Sequence, residues 1–259
     1  MNTFKYALDK STPFPHYLNM FNIRIARKQS SETRSQILTA ALTLFRERGL
    51  EAATMRDVAK QAKVALGAAY YYFPSKEAIV QEYYDTVGDE HSARVHTAFQ
   101  SANLDLESRL RAVLHLKLEI LRGDRLLLGA LFRYTGEPDH PLSAFGPATR
   151  SNRQKSIALF RLALAGEKLP DDLAEALPPL LWALHMLLLL YFLYDDSPEQ
   201  SRTHRLADSA IPLFVRMLTL ARLPLLKPFR GGLFTLLRDA GLFSEPSSPA
   251  HVVPQEEPS

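Results

Sequence analysis

The chain contains no cysteine, so neither a disulfide framework nor a cysteine-ligated metal site is open to it. Its eight histidines form no H-E-x-x-H element and no pair at i, i+4, which excludes a helical zinc-hydrolase site, and no metal or other cofactor is expected. Also missing are a G-x-x-x-x-G-K-S/T phosphate loop and a G-x-S-x-G elbow. No nucleophile stands at motif spacing from a base, although a triad assembled in space would leave no such trace. The Asp195–Asp196 step reads as a helix-end cap rather than a metal site. The chain is read as having no catalytic residues. It has no strong excess of either charge: 31 basic against 28 acidic residues leave +3, too little to mark a nucleic-acid binder. The first residues lack the apolar core of a secretory signal, and a cytoplasmic location is expected.

What is present is a chain of 259 residues, 46% hydrophobic and 23% charged, a globular balance with room for a small module plus a larger one. The basic charge is unevenly placed. Residues 24–76 carry ten basic side chains against four acidic ones, so the excess lies in one segment.

That segment contains T-M-R-D-V-A-K-Q-A-K-V-A-L-G-A-A-Y-Y-Y-F, Thr54 to Phe73, followed by P-S-K-E. Thr54 is suited to an N-cap, and Met55, Val58, Ala59 and Ala62 recur at helical spacing, giving a short helix with one narrow apolar face. After a turn at residues 62–64, a second short helix carries Ala65, Gly67, Ala68 and Ala69, small enough to let its backbone approach a major groove. Two short helices joined by a tight turn are a helix-turn-helix DNA reader. Arg56 is the candidate for direct base reading, since a guanidinium pairs bidentately with guanine. Leu66, Ala68 and Tyr71 are candidates for apolar contacts such as thymine methyls. Phe73 is expected to be the core member of the aromatic run, because neighbouring positions cannot share one helix face.

The sequence here resembles the tetracycline-repressor (TetR) family of bacterial transcription regulators. The resemblance covers roughly residues 32–86: a first helix S-E-T-R-S-Q-I-L-T-A-A-L-T-L-F-R-E-R-G, the T-x-R-D-V-A-x-x-A signature, and the Y-Y-Y-F-P-S-K-E block opening a fourth helix. It implies that Tyr70 and Tyr72 give phenolic hydroxyls to DNA phosphates, that Lys76 places its ammonium on the same strand, and that Thr54 adds a hydroxyl. The family usually has Gly, Val, Ser at the turn, where this chain has Lys63, Val64 and Ala65. The missing serine hydroxyl removes a cap and a phosphate contact, which Lys63 partly replaces.

The fold expected is all-α, an N-terminal three-helix helix-turn-helix domain followed by a C-terminal helical ligand-binding and dimerisation domain. Residues 1–29 are read as a disordered, basic extension, with Met20 an alternative start and Arg24, Arg27 and Lys28 a basic arm for a neighbouring minor groove. Residues 30–76 form the DNA-binding domain, whose first helix runs from Glu32 to Arg48 and stops at Gly49. Residues 77–228 form the second domain. Its first helix is capped by Ser75, with Gly88 a site for a kink; further helices are expected over 106–121, 125–134, 148–165, 171–194 and 198–221, with a loop at 135–147. An added helix over residues 229–243 and a disordered tail over 244–259 complete the chain.

Leu177 to Tyr194 is long and apolar enough to resemble a bilayer span. Two prolines in its first turn, His185 at its centre and acidic flanks argue for a core helix covered by its own domain on one side and a second subunit on the other. The residues expected to line a ligand pocket are Leu128, Phe132, Tyr134, Phe145, Trp182, His185, Met186 and Tyr191, suiting an apolar or aromatic ligand anchored at His185. The resulting expectation is a homodimer that binds double-stranded DNA at a palindromic operator, represses transcription and is released by a small-molecule effector, without membrane association. Two alternatives stay open: a DNA-binding activator not controlled by a ligand, and a membrane-associated helical protein.

Overall fold

The computed structural model describes residues 16–100, 103–137, 139–228, 230–232 and 235. All regular structure among them is helical, and the chain divides into two units after Ile79, against an expected division at residue 76.

The first unit holds α1 (His16–Arg48), α2 (Met55–Gln61) and α3 (Leu66–Tyr72). Ile37, Ala40, Ala41, Leu44 and Phe45 form the buried stripe of α1, at the spacing that puts them on one face. Gly49 ends the helix at φ 84°, donating its N–H to Phe45 O at 3.0 Å, a conformation glycine adopts without a Cβ clash. The N-terminal start differs from the expectation of disorder over 1–29, because α1 already begins at His16. No proline or glycine interrupts residues 16–48, and Pro15 stands immediately before them. Residues 1–15 lie outside the described part, as do the side chains of the basic arm.

Two side chains of α1 fasten the other helices. Arg34 donates to Tyr72 O at 3.0 Å with its guanidinium 4.4 Å above the Phe73 ring. Gln36 donates to Ala62 O at 2.9 Å. Met55, Val58, Ala59, Ala62, Ala69 and Phe73 close the small core.

Ser75 caps the following helix, α4 (Lys76–Gln100), accepting from Ala78 N at 3.2 Å. The second unit continues with α5 (Leu106–Leu121), α6 (Arg125–Phe132), α7 (Arg150–Ala163), α8 (Asp171–Tyr194) and α9 (Ser201–Ala221). Gly88 does not break α4. It is buried, and a Cβ there would come within 2.9 Å of Asn152 Nδ2 on α7, so the glycine serves a close helix approach. Val95, Leu110, Val113, Phe160, Leu177, Leu181, Trp182 and Ile211 belong to one core built from α4, α5, α7, α8 and α9. Pro178 and Pro179 lie inside α8 rather than in its first turn, since the helix starts at Asp171. The last long helix starts later than expected because Glu199 and Gln200 take φ 51° and 54°. Asp195 joins the two segments, accepting from Ser197 N and Oγ and from Thr203 N and Oγ1 at 2.6–3.0 Å. Most of the expected helix at 229–243, and the tail beyond it, lie outside the described residues.

Candidate functional site

The reader module is built around the turn between α2 and α3. Thr54 N-caps α2 in a reciprocal box: Asp57 N donates to Thr54 Oγ1 at 3.2 Å, and Thr54 N donates to Asp57 Oδ2 at 3.0 Å. The bonds from Thr54 hold the Asp57 carboxyl below its usual range. At the other end, Lys63 N donates to Lys60 O at 3.1 Å and Val64 N to Ala59 O at 3.0 Å, with Lys63 left-handed at φ 54°. This is the Schellman closure that normally selects glycine. Ala65 then occupies the N-cap of α3 without any side-chain bond.

Around this turn the outward side chains divide by charge and shape. Arg56, Lys60 and Lys63, spaced i, i+4, i+7, are all exposed, and none has an ion-pair partner among the described residues. On α3, Leu66, Gly67, Tyr70 and Tyr71 are exposed, Tyr71 by 81%, while Ala69 is fully buried. Ala68 is half-buried. The remaining expected contacts are engaged within the protein. Tyr72 is half-buried and donates to Ser30 Oγ at 3.3 Å; the Thr54 hydroxyl donates to Asp57 Oδ2 at 2.6 Å; Lys76 Nζ donates to Leu50 O at 2.7 Å. Gly67 is exposed, as a close groove approach by α3 requires, and Lys60 joins the surface although sequence reasoning gives it no role there; its position one helical turn from Arg56 is the signal that points to it.

In the second unit a cavity of about 100 Å³ lies among α4, α5, α6, α7 and α8. Leu128, Phe132, Trp182, His185 and Met186 line it. Tyr134, Phe145 and Tyr191 do not. Tyr134 stacks on His140 with ring centroids 4.0 Å apart, Tyr191 is exposed, and Phe145 is exposed with its ring set edge-on to Trp182. Helical periodicity places an aromatic on an element but not on the side of it that a fold will hollow out. The cavity wall also includes Tyr84, whose hydroxyl donates to Leu142 O at 3.2 Å and is pushed up by burial, and Lys117, which lies on the buried stripe of α5 with Leu110, Val113 and Leu121.

A helix-turn-helix whose second helix is bare, followed in the chain by a separate helical body, defines the class of helix-turn-helix regulatory proteins. Residues 37–83 match the family model for bacterial regulatory proteins of the tetR family, and residues 109–232 match the tetracyclin repressor-like C-terminal domain. The chain belongs to the TetR family. It is 32% identical over 138 residues to the HTH-type transcriptional regulator TtgR of Pseudomonas putida, a match covering 52% of this chain and 63% of TtgR. It is 48% identical over 52 residues to the HTH-type transcriptional repressor KstR2 of Rhodococcus jostii, covering 20% of this chain and 26% of that repressor. The chain thus spans less than two thirds of the length of either relative. In fold it resembles a tetR-family transcriptional regulator from Streptomyces coelicolor, with a TM-score of 0.53 at 21% identity over 82% of this chain and 98% of that one. The fatty acid degradation regulator FadR from Bacillus halodurans gives a TM-score of 0.53 at 16% identity, over 68% and 96%.

Proposed function

We propose that the protein is a cytoplasmic, homodimeric transcriptional repressor that reads a palindromic operator through α3 and leaves it when a small ligand occupies the second-unit cavity. The observation that carries the DNA-reading part is the outward set of Leu66, Gly67, Tyr70 and Tyr71 beside Arg56, Lys60 and Lys63. Bare aromatics and unpaired cations on a short helix bring nothing to a self-contained domain, and they suit a groove edge and its phosphates. Arg56 reads a base; Lys60 and Lys63 supply phosphate neutralisation. Thr54, Tyr72 and Lys76 meet phosphate while keeping the bonds that shape the module. Repression rather than activation follows the name of the KstR2 relative.

Dimerisation has its own support. Leu184, Leu187, Tyr191 and Tyr194 of α8, and Leu206, Leu213, Met217 and Leu220 of α9, are all more than 40% exposed. They fall on single faces at helical spacing, an apolar patch of the kind that a second copy covers. One described helix, α8, is long and apolar enough to cross a membrane. Its other face is buried through Leu173, Leu177, Leu181, Trp182 and Phe192 against the rest of its unit, which favours the soluble dimer over a bilayer span.

The test is fluorescence anisotropy of the full chain on the intergenic DNA beside its own gene and on scrambled DNA, at two salt concentrations. The repressor reading expects saturable binding at least roughly a thousandfold tighter on the former, weakening with salt. Gly67→Ala sharpens it. A Cβ at Gly67 meets nothing within 4 Å inside the protein, so the variant folds at least as well, yet it crowds a groove pressed against α3. Unchanged binding by Gly67→Ala, or equal affinity for both DNAs after operator selection from a random pool, sinks the proposal.

A further inference from the structure

The cavity of the second unit has an unbalanced wall. Most of it is apolar, from Leu128, Leu131, Phe132, Trp182 and Met186. Its charged side chains are Lys117 and Arg153, and no carboxylate is among its lining residues. Arg153 already donates to Ala144 O at 2.9 Å and Gly146 O at 3.1 Å. Lys117 is different: it is 8% exposed and makes no hydrogen bond or ion pair among the described residues. Glu90 attracts it without forming an ion pair with it; that carboxylate is bonded to Arg94 at 2.5 Å. Beside it, His185 is 3% exposed with both ring nitrogens unpartnered, and His91 is 1% exposed with Nδ1 unpartnered and Nε2 on Val113 O at 2.8 Å.

A buried ammonium without a counter-charge is among the most unfavourable groups a core can hold, and an apolar residue of the same length would avoid the cost. Placed on the wall of a hollow, it gains a partner when an anion enters. A neutral ligand leaves the ammonium uncompensated, and a cation is repelled by Lys117 and Arg153 together. His185, neutral and with two free nitrogens, adds a hydrogen bond to whichever polar atom sits beside the charge. The volume limits the rest of the molecule: an engineered apolar cavity of about 150 Å³ holds one benzene ring, so this smaller one, about 100 Å³, admits no body larger than a single ring or a short branched chain.

We infer that the effector is a small monocarboxylate with an aromatic or short branched body, its carboxylate held by Lys117 and its second polar contact made by His185. This deepens the ligand-release reading given above and rests on it.

The experiment uses the full chain without DNA, titrated calorimetrically at neutral pH with three matched pairs: benzoate and benzamide, phenylacetate and phenylacetamide, 2-methylbutanoate and 2-methylbutanamide. At least one carboxylate is expected to bind, and to outbind its amide tenfold or more. Lys117→Met is expected to erase that preference while melting at a higher temperature than the parent, which shows that it folds. Lys117→Gln, polar but uncharged, provides a second variant with the same expected loss. Amides binding as well as their acids, no carboxylate binding at all, or a preference that survives both variants overturns the inference. Operator release is then read separately by anisotropy with the best carboxylate. A ligand that binds through Lys117 yet leaves the DNA affinity unchanged sinks the release reading alone.

Discussion

Lys76 Nζ lies 2.7 Å from the carbonyl oxygen of Leu50 and 3.4 Å from that of Glu51, so the first side chain of α4 ties down the stretch of chain that leads from α1 into α2. The same ammonium is the one that the family resemblance sends to a DNA phosphate. The two duties separate experimentally. Lys76→Met removes charge-assisted bonds to carbonyls and is expected to cost about 2 kcal/mol of stability in urea unfolding. If the lysine also neutralises a phosphate, the slope of log affinity against log salt drops by about one as well. A stability loss with an unchanged slope assigns Lys76 to the loop alone.

The turn between α2 and α3 holds two suboptimal residues close together. Lys63 is left-handed at φ 54°, and Ala65 caps α3 with no side chain able to accept. Lys63→Gly relieves a conformation that costs an L-residue roughly 1 kcal/mol, and Ala65→Ser adds a cap worth about 1 kcal/mol. Both are expected to raise the urea midpoint, the double variant by about the sum if the sites act independently. DNA affinity moves the other way for Lys63→Gly, which deletes an exposed cation. A glycine variant that is no more stable than the parent denies the strain at Lys63.

Much of this is legible in the chain, for reasons particular elements make clear. The bounds of α8, Asp171 to Tyr194, agree with the sequence reading because Pro170 and the Asp195–Asp196 step punctuate it. The buried stripe of α1 follows from period alone, but its start does not: residues 16–31 mix apolar, polar and basic side chains with no breaker, compatible with coil or helix, and α1 extends back to His16. Gly88 illustrates the same ambiguity, since the sequence shows a flexible residue and only α7, with Asn152 against it, shows why one is needed. Lys117 is the largest omission. It stands at i+7 in the stripe Leu110, Val113, Lys117, Leu121, so period puts it on the buried face; its residue type argues against that place, and the cavity it lines is walled by α4, α6, α7 and α8, distant in sequence.

The buried bases give the protein two pH windows, and in both its stability rises with pH. Burial, and then the Lys117 charge, lowers His91 from 6.5 to about 3 against the pull of the Val113 carbonyl; burial lowers His185 in the same direction. Below pH 6.5 the unfolded chain takes up protons that the folded chain refuses, so stability is expected to fall as pH drops. Burial lowers Lys117 from 10.5 to about 8, with Glu90 opposing. Between those values the unfolded chain holds a proton the folded chain has released, so stability from this group rises with pH across that window. Melting curves from about pH 4 to about pH 10 check both slopes. His185→Phe should flatten the acid limb and Lys117→Met the alkaline one; limbs that persist unchanged in both variants place the titrating groups elsewhere.

The apolar faces of α8 and α9 give the sharpest test of assembly. Leu187 is 62% exposed and Leu213 58%, and both sit within the stripe that a second copy would cover. Across a two-fold interface each position occurs twice, so losing one buried leucine costs about 3–6 kcal/mol per dimer before any penalty for a buried charge. Leu187→Glu or Leu213→Glu should therefore raise the dimer dissociation constant by roughly two to four decades, since each factor of ten is about 1.4 kcal/mol. Because the leucines are bare in the single chain, neither substitution should reduce its helix content. Sedimentation velocity at micromolar concentration is expected to show monomer for both variants and dimer for the parent. Operator affinity should fall with it, as one reading head holds only one half-site. Dimers that persist in both glutamate variants would remove these faces from the interface and leave their exposure without an explanation in subunit pairing.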